Sequence, residues 1–249
     1  MTQLWRFLAL GAGVYLLILL TTFPAACTVN LLEQQVSGLA LQSVSGTVFS
    51  GKAGRVVQDG QDLGPVSWSF RPAALLLGRI EYRVTLDGPP FRGAGYLGTA
   101  LGADIIAHDL VGELQPDPLV NRYLPVPVET TGSVTLALDR MKVRDGFPSD
   151  IAGIVHWTEA AIREPVALSF GKVEVNLASS GDTITAEISS AGADAAVSGE
   201  LALLAAGEYR LQLVLKPGAE TDPGFADMLE SYGKPQADGA FLITDSGNW

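Results

Sequence analysis

The sequence predicts a mainly β protein: one N-terminal transmembrane helix, then an elongated, curved antiparallel β-sheet domain with a few short helices. Three observations predict it. A charge-free apolar run opens the chain, apolar residues then recur with a period of two, and 28 Gly and 14 Pro punctuate those runs. Period two is the signature of a half-buried strand, and frequent Gly and Pro mark the turns between short strands.

The opening run comes first. No charged residue occurs between Phe7 and Asn30, and the segment Phe7–Ala26 is long enough, as a helix, to cross a hydrocarbon layer of about 30 Å. Leu16-Leu17-Ile18-Leu19-Leu20 is its most apolar part. Arg6 lies on its N-terminal side. On the other side the first charge is Glu33, and no base appears before Lys52. This asymmetry leaves residues 1–6 as a cytoplasmic tip and exports residues 27–249. Two other readings compete: a secretory signal cleaved near Ala25-Ala26, and a lipoprotein signal acylated at Cys27. Pro24 stands where the lipoprotein pattern expects a large aliphatic residue, and the run exceeds the roughly 7–15 residues of a signal core. A retained anchor is therefore expected.

Charge and cysteine count narrow the function classes. A formal net charge of -11 repels phosphate backbones and anionic head groups, so nucleic acid is excluded as a partner and membrane attachment has to be hydrophobic. Cys27 is the only cysteine and cannot close a bridge within the chain.

Beyond the anchor, Ile80, Tyr82, Val84 and Leu86 alternate with Arg79, Glu81, Arg83 and Thr85. The same alternation recurs at Val134/Leu136/Leu138, Val173/Val175/Leu177, Ile184/Ala186/Ile188 and Tyr209/Leu211/Leu213/Leu215, which predicts a sheet with one wetted face. Three short helical pieces carry start and stop signals. Pro72–Leu77 ends at Gly78, Asp117-Pro118 opens Leu119–Tyr123, and Asp222-Pro223 caps Phe225–Tyr232 ahead of Gly233. A weak internal echo pairs Pro65–Phe70 with Pro165–Phe170, and Ser45–Val48 with Ala152–Val155. It suggests two similar β-units, about 40–115 and 128–249, joined through the Pro-rich stretch Pro116–Pro127. Chance similarity among short β segments accounts for it equally well.

Candidate chemistry is sparse. Gly93-Ala94-Gly95-Tyr96-Leu97-Gly98, with Glu113 downstream, has the dinucleotide-fingerprint spacing. That fingerprint needs a strand feeding a helix N-terminus. Gly88-Pro89-Pro90 interrupts the strand before it and Gly102 weakens any helix after it, so a glycine-rich strand or turn is expected instead. His108-Asp109 with Glu113 has donor types suited to a metal or acid–base site, and His156 stands beside Trp157, but neither has a nucleophile elbow or a paired buried carboxylate to work with. No catalytic residue, cofactor-binding residue or metal ligand is assigned, and no cofactor is expected.

Two stretches carry a resemblance. Ser45-Gly46-Thr47, Ser50-Gly51 and Ala53 form S-G-T-x-x-S-G-x-A; Trp68, Pro72, Leu75, Leu76, Gly78 and Arg79 form W-x-x-x-P-x-x-L-L-x-G-R. Together with the order of parts and a Gly-Val-x-Trp-like element at Gly153–Trp157, they resemble the type II secretion system protein N family. The resemblance implies a non-enzymatic, single-pass component of a bacterial inner membrane, with its bulk in the periplasm. It would act with other inner-membrane components in exporting folded proteins across the outer membrane. The family supplies no catalytic residues. Elementary packing gives the same motif residues structural work: Gly46 and Gly51 permit a tight hairpin, Trp68 and Phe70 fill the apolar face, and Pro72–Gly78 caps the sheet. The alternative function is a carrier of lipid or another envelope component, holding acyl chains in an apolar β-groove. Bulky Trp68, Phe70, Tyr82 and Leu86 closing that face would favour a plain core.

Overall fold

The computed structural model describes residues 22–29, 33–34, 36–89, 91–100, 104–116, 129–144, 147–164, 167–190, 192, 194–218, 229 and 233–248. They are antiparallel β-sheet with short helical turns, and the chain divides into two compact units between Pro89 and Pro90. From residue 117 on, the expected Pro-rich join falls outside the described residues, as does the helix expected over Leu119–Tyr123.

The first unit holds β1 (Leu39–Gly46), β2 (Ser50–Gln58), β3 (Gln61–Phe70) and β4 (Arg79–Asp87), each hydrogen-bonded to the next. Register sorts its side chains by type. One set of rungs aligns Val44, Ala53, Val66 and Leu86, and then Gly46, Gly51, Trp68 and Val84. The intervening rung aligns Ser45, Lys52, Ser67 and Thr85, which lie on the opposite, wetted face because alternate residues of a strand point opposite ways. Pro65 has no N–H for the ladder, and a register shift between Ala53 and Val56 takes it out of the β2 pairing.

The second unit runs through β5 (Phe91–Ala100), β6 (Ile105–Leu114), β7 (Glu129–Arg144), β8 (Phe147–Glu164), β9 (Leu168–Ser180), β10 (Thr183–Ser190), β11 (Ala195–Leu204) and β12 (Glu208–Pro217). β14 (Phe241–Asn248) follows β12 in space, and the two-residue β13 (Lys234–Pro235) lies outside it. Four of the alternating runs read from the sequence lie in β7, β9, β10 and β12, and the fifth, Ile80 to Leu86, lies in β4. Two apolar clusters hold the unit. Leu138, Ile151 and Ile184 form one, with Leu110, Leu136, Leu177 and Leu203 packed against them. In the other, Phe170, Leu168, Ala160, Ala195 and Phe241 pack under Leu229. Of the helix expected over Phe225–Tyr232, Leu229 alone is among the described residues; it is helical, and its carbonyl accepts the Gly233 N–H at 2.8 Å, while the rest lies outside the described residues.

At the N-terminus, residues 7–21 of the expected membrane span lie outside the described residues. Among the described residues no helix is long and apolar enough to cross a membrane. The expected helix end at Ala26 is corrected. Pro24 is extended and bridges Thr47, and Ala25–Cys27 form a single 3-10 turn. A proline at 24 drives the residue before it out of the helical region and offers no N–H of its own, so a helix through Phe23 and Pro24 is disfavoured.

Two measurements follow from this packing. Phe170→Ala, which empties the middle of the larger cluster, should cost about 3 kcal/mol, seen as a lowered urea midpoint of the full chain. Acid should also weaken the fold. The Gly64 N–H and the Arg55 guanidinium hold the Asp62 carboxyl below its usual range, Arg144 does so for Asp104, and Arg140 for Asp150. Because these folded-state pKa values are lowered, their stabilisation is present above the unfolded value of about 3.9 and is lost as pH falls through the folded values. Melting temperature should fall below about pH 4, and less steeply in an Arg140→Gln/Arg144→Gln variant.

Candidate functional site

All twelve motif residues come together at one end of the first unit, where β1 turns into β2 and β3 turns into β4. The first turn is built by Thr47. Its N–H donates to the Ser50 carbonyl at 2.8 Å, and its hydroxyl oxygen accepts the Ser50 N–H at 3.2 Å. Gly46 enters that turn at φ +91°, where a side chain would run into the Ser50 carbonyl.

Trp68 locks the turn to the sheet. Its indole lies across Gly51, so a Cβ there would sit 2.6 Å from the ring and 2.6 Å from the Ser45 carbonyl oxygen. The indole N–H then donates to the Thr47 carbonyl at 3.1 Å, which gives a partly buried ring its polar partner. Beyond Trp68, Phe70 packs edge-on against Phe49 with centroids 5.2 Å apart, and at 5.4 Å against Tyr82. Burial pushes the Tyr82 phenol above its usual pKa. Trp68, Phe70, Tyr82 and Leu86 are thus half-buried on the same face.

The second turn, Pro72–Leu77, is a 3-10 helix with proline in its first turn and Gly78 closing it at φ +68°. Ala74 is its buried residue; Leu75, Leu76 and Leu77 point outward at 53%, 89% and 74% exposure. Here the structure overrides the period-two reading of β4. Ile80, expected on the apolar face with Tyr82, is 47% exposed, while Glu81, expected on the wetted face, is 5% exposed. The cause is geometric: pairing with β3 begins only at Phe70–Tyr82, so Ile80 projects past the end of β3. Arg71 covers Glu81, donating from its guanidinium to the carboxylate and from its backbone N–H to the carbonyl, both at 2.9 Å. The pairing of Arg71 with Glu81 escaped the sequence reading, although two opposite charges flanking a Pro-to-Gly turn were the available signal.

The other candidates disperse. Gly93–Gly98 lie inside β5, as the glycine-rich strand reading expected, and Gly93 pairs with Gly112 so that the Phe91 ring can lie over both. His108 stacks on Tyr96 at 5.0 Å with Nδ1 3.0 Å from the Asp109 carboxylate, whereas Glu113 accepts a hydrogen bond from the Ser133 hydroxyl at 2.7 Å. His156 Nδ1 lies 3.5 Å from the Glu174 carboxylate. Among the described residues no three His, Cys, Asp or Glu side chains are grouped to hold a metal.

What this scaffold serves is decided by comparison. The family model for type II secretion system (T2SS), protein N matches residues 37–244, covering both units. The chain belongs to that family. Among its relatives, a type II secretion system protein N of Aeromonas hydrophila is 28% identical over 96% of each chain. A type II secretion system protein N of Vibrio cholerae serotype O1 is 24% identical, covering 84% of this chain and 85% of the relative. No solved structure matches. As a family member the chain is a type II secretion component, a role in protein transport and not an enzyme class.

The buried carboxylate generates a double-variant prediction at the motif end. Arg71→Ala leaves Glu81 uncompensated and should cost about 2 kcal/mol, less than for a fully buried pair because Arg71 is half exposed. Adding Glu81→Leu should return at least half of that loss in a urea titration.

Proposed function

We propose that this chain is a non-enzymatic, inner-membrane component of a type II secretion system that helps move folded proteins from the periplasm across the outer membrane. The family match over residues 37–244 carries the reading. The charge-free run from Phe7 supports a single membrane span with residues 1–6 in the cytoplasm, because Arg6 precedes it and no base follows before Lys52. Residues from 27 onward would then be periplasmic and would meet the other inner-membrane components of the apparatus. The motif residues Ser45 to Ala53 and Trp68 to Arg79 serve, in this reading, to build a rigid end on the first unit rather than to bind a cofactor.

The sheets also offer contact lines. Beyond Phe241–Leu242, which pair with β13, the outer edge of β14 has no further strand among the described residues, and such an edge can accept a strand from a partner. The carrier reading draws less support. Two hollows described on the second unit mix apolar groups such as Ile188, Val214 and Leu211 with Glu187, Glu200 and Asp245, and those carboxylates would lose water beside an acyl chain.

Deleting the chain in its host tests the proposal. Proteins normally found folded in the medium should accumulate in the periplasm, measured by fractionation and immunoblotting. Unchanged secretion together with altered outer-membrane permeability would overturn it in favour of the carrier.

A further inference from the structure

We propose that the Leu75-Leu76-Leu77 turn is a second membrane contact, a leucine tip that dips into the surface of the bilayer entered by the N-terminal apolar run. This rests on the membrane-anchor reading above. Three leucines in a row on a tight turn, the middle one 89% exposed, are not explained by packing within the first unit. A contiguous exposed apolar group of this kind marks a surface that is covered in use.

The position of the tip identifies what covers it. Inside the charge-free run, the Phe23 carbonyl accepts the Val48 N–H at 3.0 Å and Pro24 bridges Thr47. From Phe49 the ladder passes to Phe70 at 2.6 Å, and from Arg71 to Glu81 at 2.9 Å. The entry point of the apolar run and the leucine tip are therefore at the same end of the same unit. Phe23 is itself exposed there, as is Ile80.

Charge agrees with that assignment. In a chain of net charge -11, no acidic residue lies between Glu33 and Asp59 or between Asp62 and Glu81, and Glu81 is buried against Arg71. The tip is followed instead by the exposed Arg79, whose guanidinium can stay at lipid phosphates while the leucines enter the acyl boundary. Tethering by one span and a tip on the same unit would fix its tilt on the membrane, which a single flexible tether does not.

The test uses the full chain with Cys27→Ser, reconstituted in phosphatidylethanolamine/phosphatidylglycerol vesicles. One version carries Leu76→Cys labelled with an environment-sensitive fluorophore. The other carries Thr85→Cys, about 20 Å along β4 from Arg79. The expected result is a blue-shifted emission at 76, quenched at least twofold more by nitroxide-bearing lipid than at 85. Adding Leu75→Asp and Leu77→Asp should return position 76 to a water-like spectrum while the chain still floats with the vesicles. A floating chain with a water-like position 76 overturns the tip and leaves the anchor standing. A chain that does not float overturns both. Shielding of position 76 only after other secretion-apparatus proteins are added overturns the membrane contact in favour of a protein partner.

Discussion

A tryptophan laid across a glycine sets the geometry of the motif end. Trp68 covers Gly51 and donates to the Thr47 carbonyl, so β3 is tied to the β1–β2 turn by a side chain as well as by the backbone ladder. In a sheet whose apolar face is only half-buried, large rings have few places to go, and a glycine beneath the ring supplies the flat seat that a side chain would fill. Once Trp68 is seated, Phe70 is carried into its contacts with Phe49 and Tyr82. The next residues, Arg71 and Pro72, then leave the sheet at a fixed angle. The leucine turn therefore starts from a strand end that the indole and the Arg71–Glu81 pair hold together.

The second unit reuses the device with different residues. The Trp157 indole N–H donates to the Thr131 carbonyl at 2.8 Å, and the adjacent Gly132 sits at φ +103°, with no room for a side chain beside the ring. At the other side of the unit Phe91 lies over the Gly93–Gly112 pair. Glycine in these strands therefore acts as half of an aromatic contact, which accounts for why strands as glycine-rich as β5 persist despite the entropy that glycine loses on folding. The sequence echo between Pro65–Phe70 and Pro165–Phe170 does not capture this relation. The two tryptophans that play equivalent parts, Trp68 and Trp157, are not aligned by it.

Much of the architecture was legible because period-two alternation survives wherever one face of a strand is wet. That holds for β4, β7, β9, β10 and β12. Strands made of small or mixed residues, such as β2 and β8, give no such signal, because bulges break the phase: β8 contains register shifts against both neighbours. The inversion at Ile80 and Glu81 shows the limit most clearly. Periodicity assigns faces on the assumption that a strand has partners along its whole length, and β4 starts before its β3 partner begins. The Pro72–Gly78 turn was legible from its Pro and Gly, whereas the burial of Glu81 depended on Arg71 folding back across that turn, a tertiary event with no local pattern.

The ion pairs show where stability does and does not reside. In Arg55–Asp62, Arg140–Asp150 and Arg144–Asp104 the arginine side chain is more than half exposed, and solvent screens each pair to a small contribution. Arg71–Glu81 differs, because its carboxylate side chain is only 6% exposed and cannot be hydrated in place of its partner. A buried charge pair of this sort does little for net stability against an apolar substitute, but it penalises every arrangement in which the turn is displaced. Its effect is to hold the Pro72–Leu77 turn in one place relative to β4. An apolar Leu75–Leu77 left free to fold back onto the half-buried face would hide itself there; tied through Arg71 to Glu81, it is kept outside, available to a surface beyond the sheet.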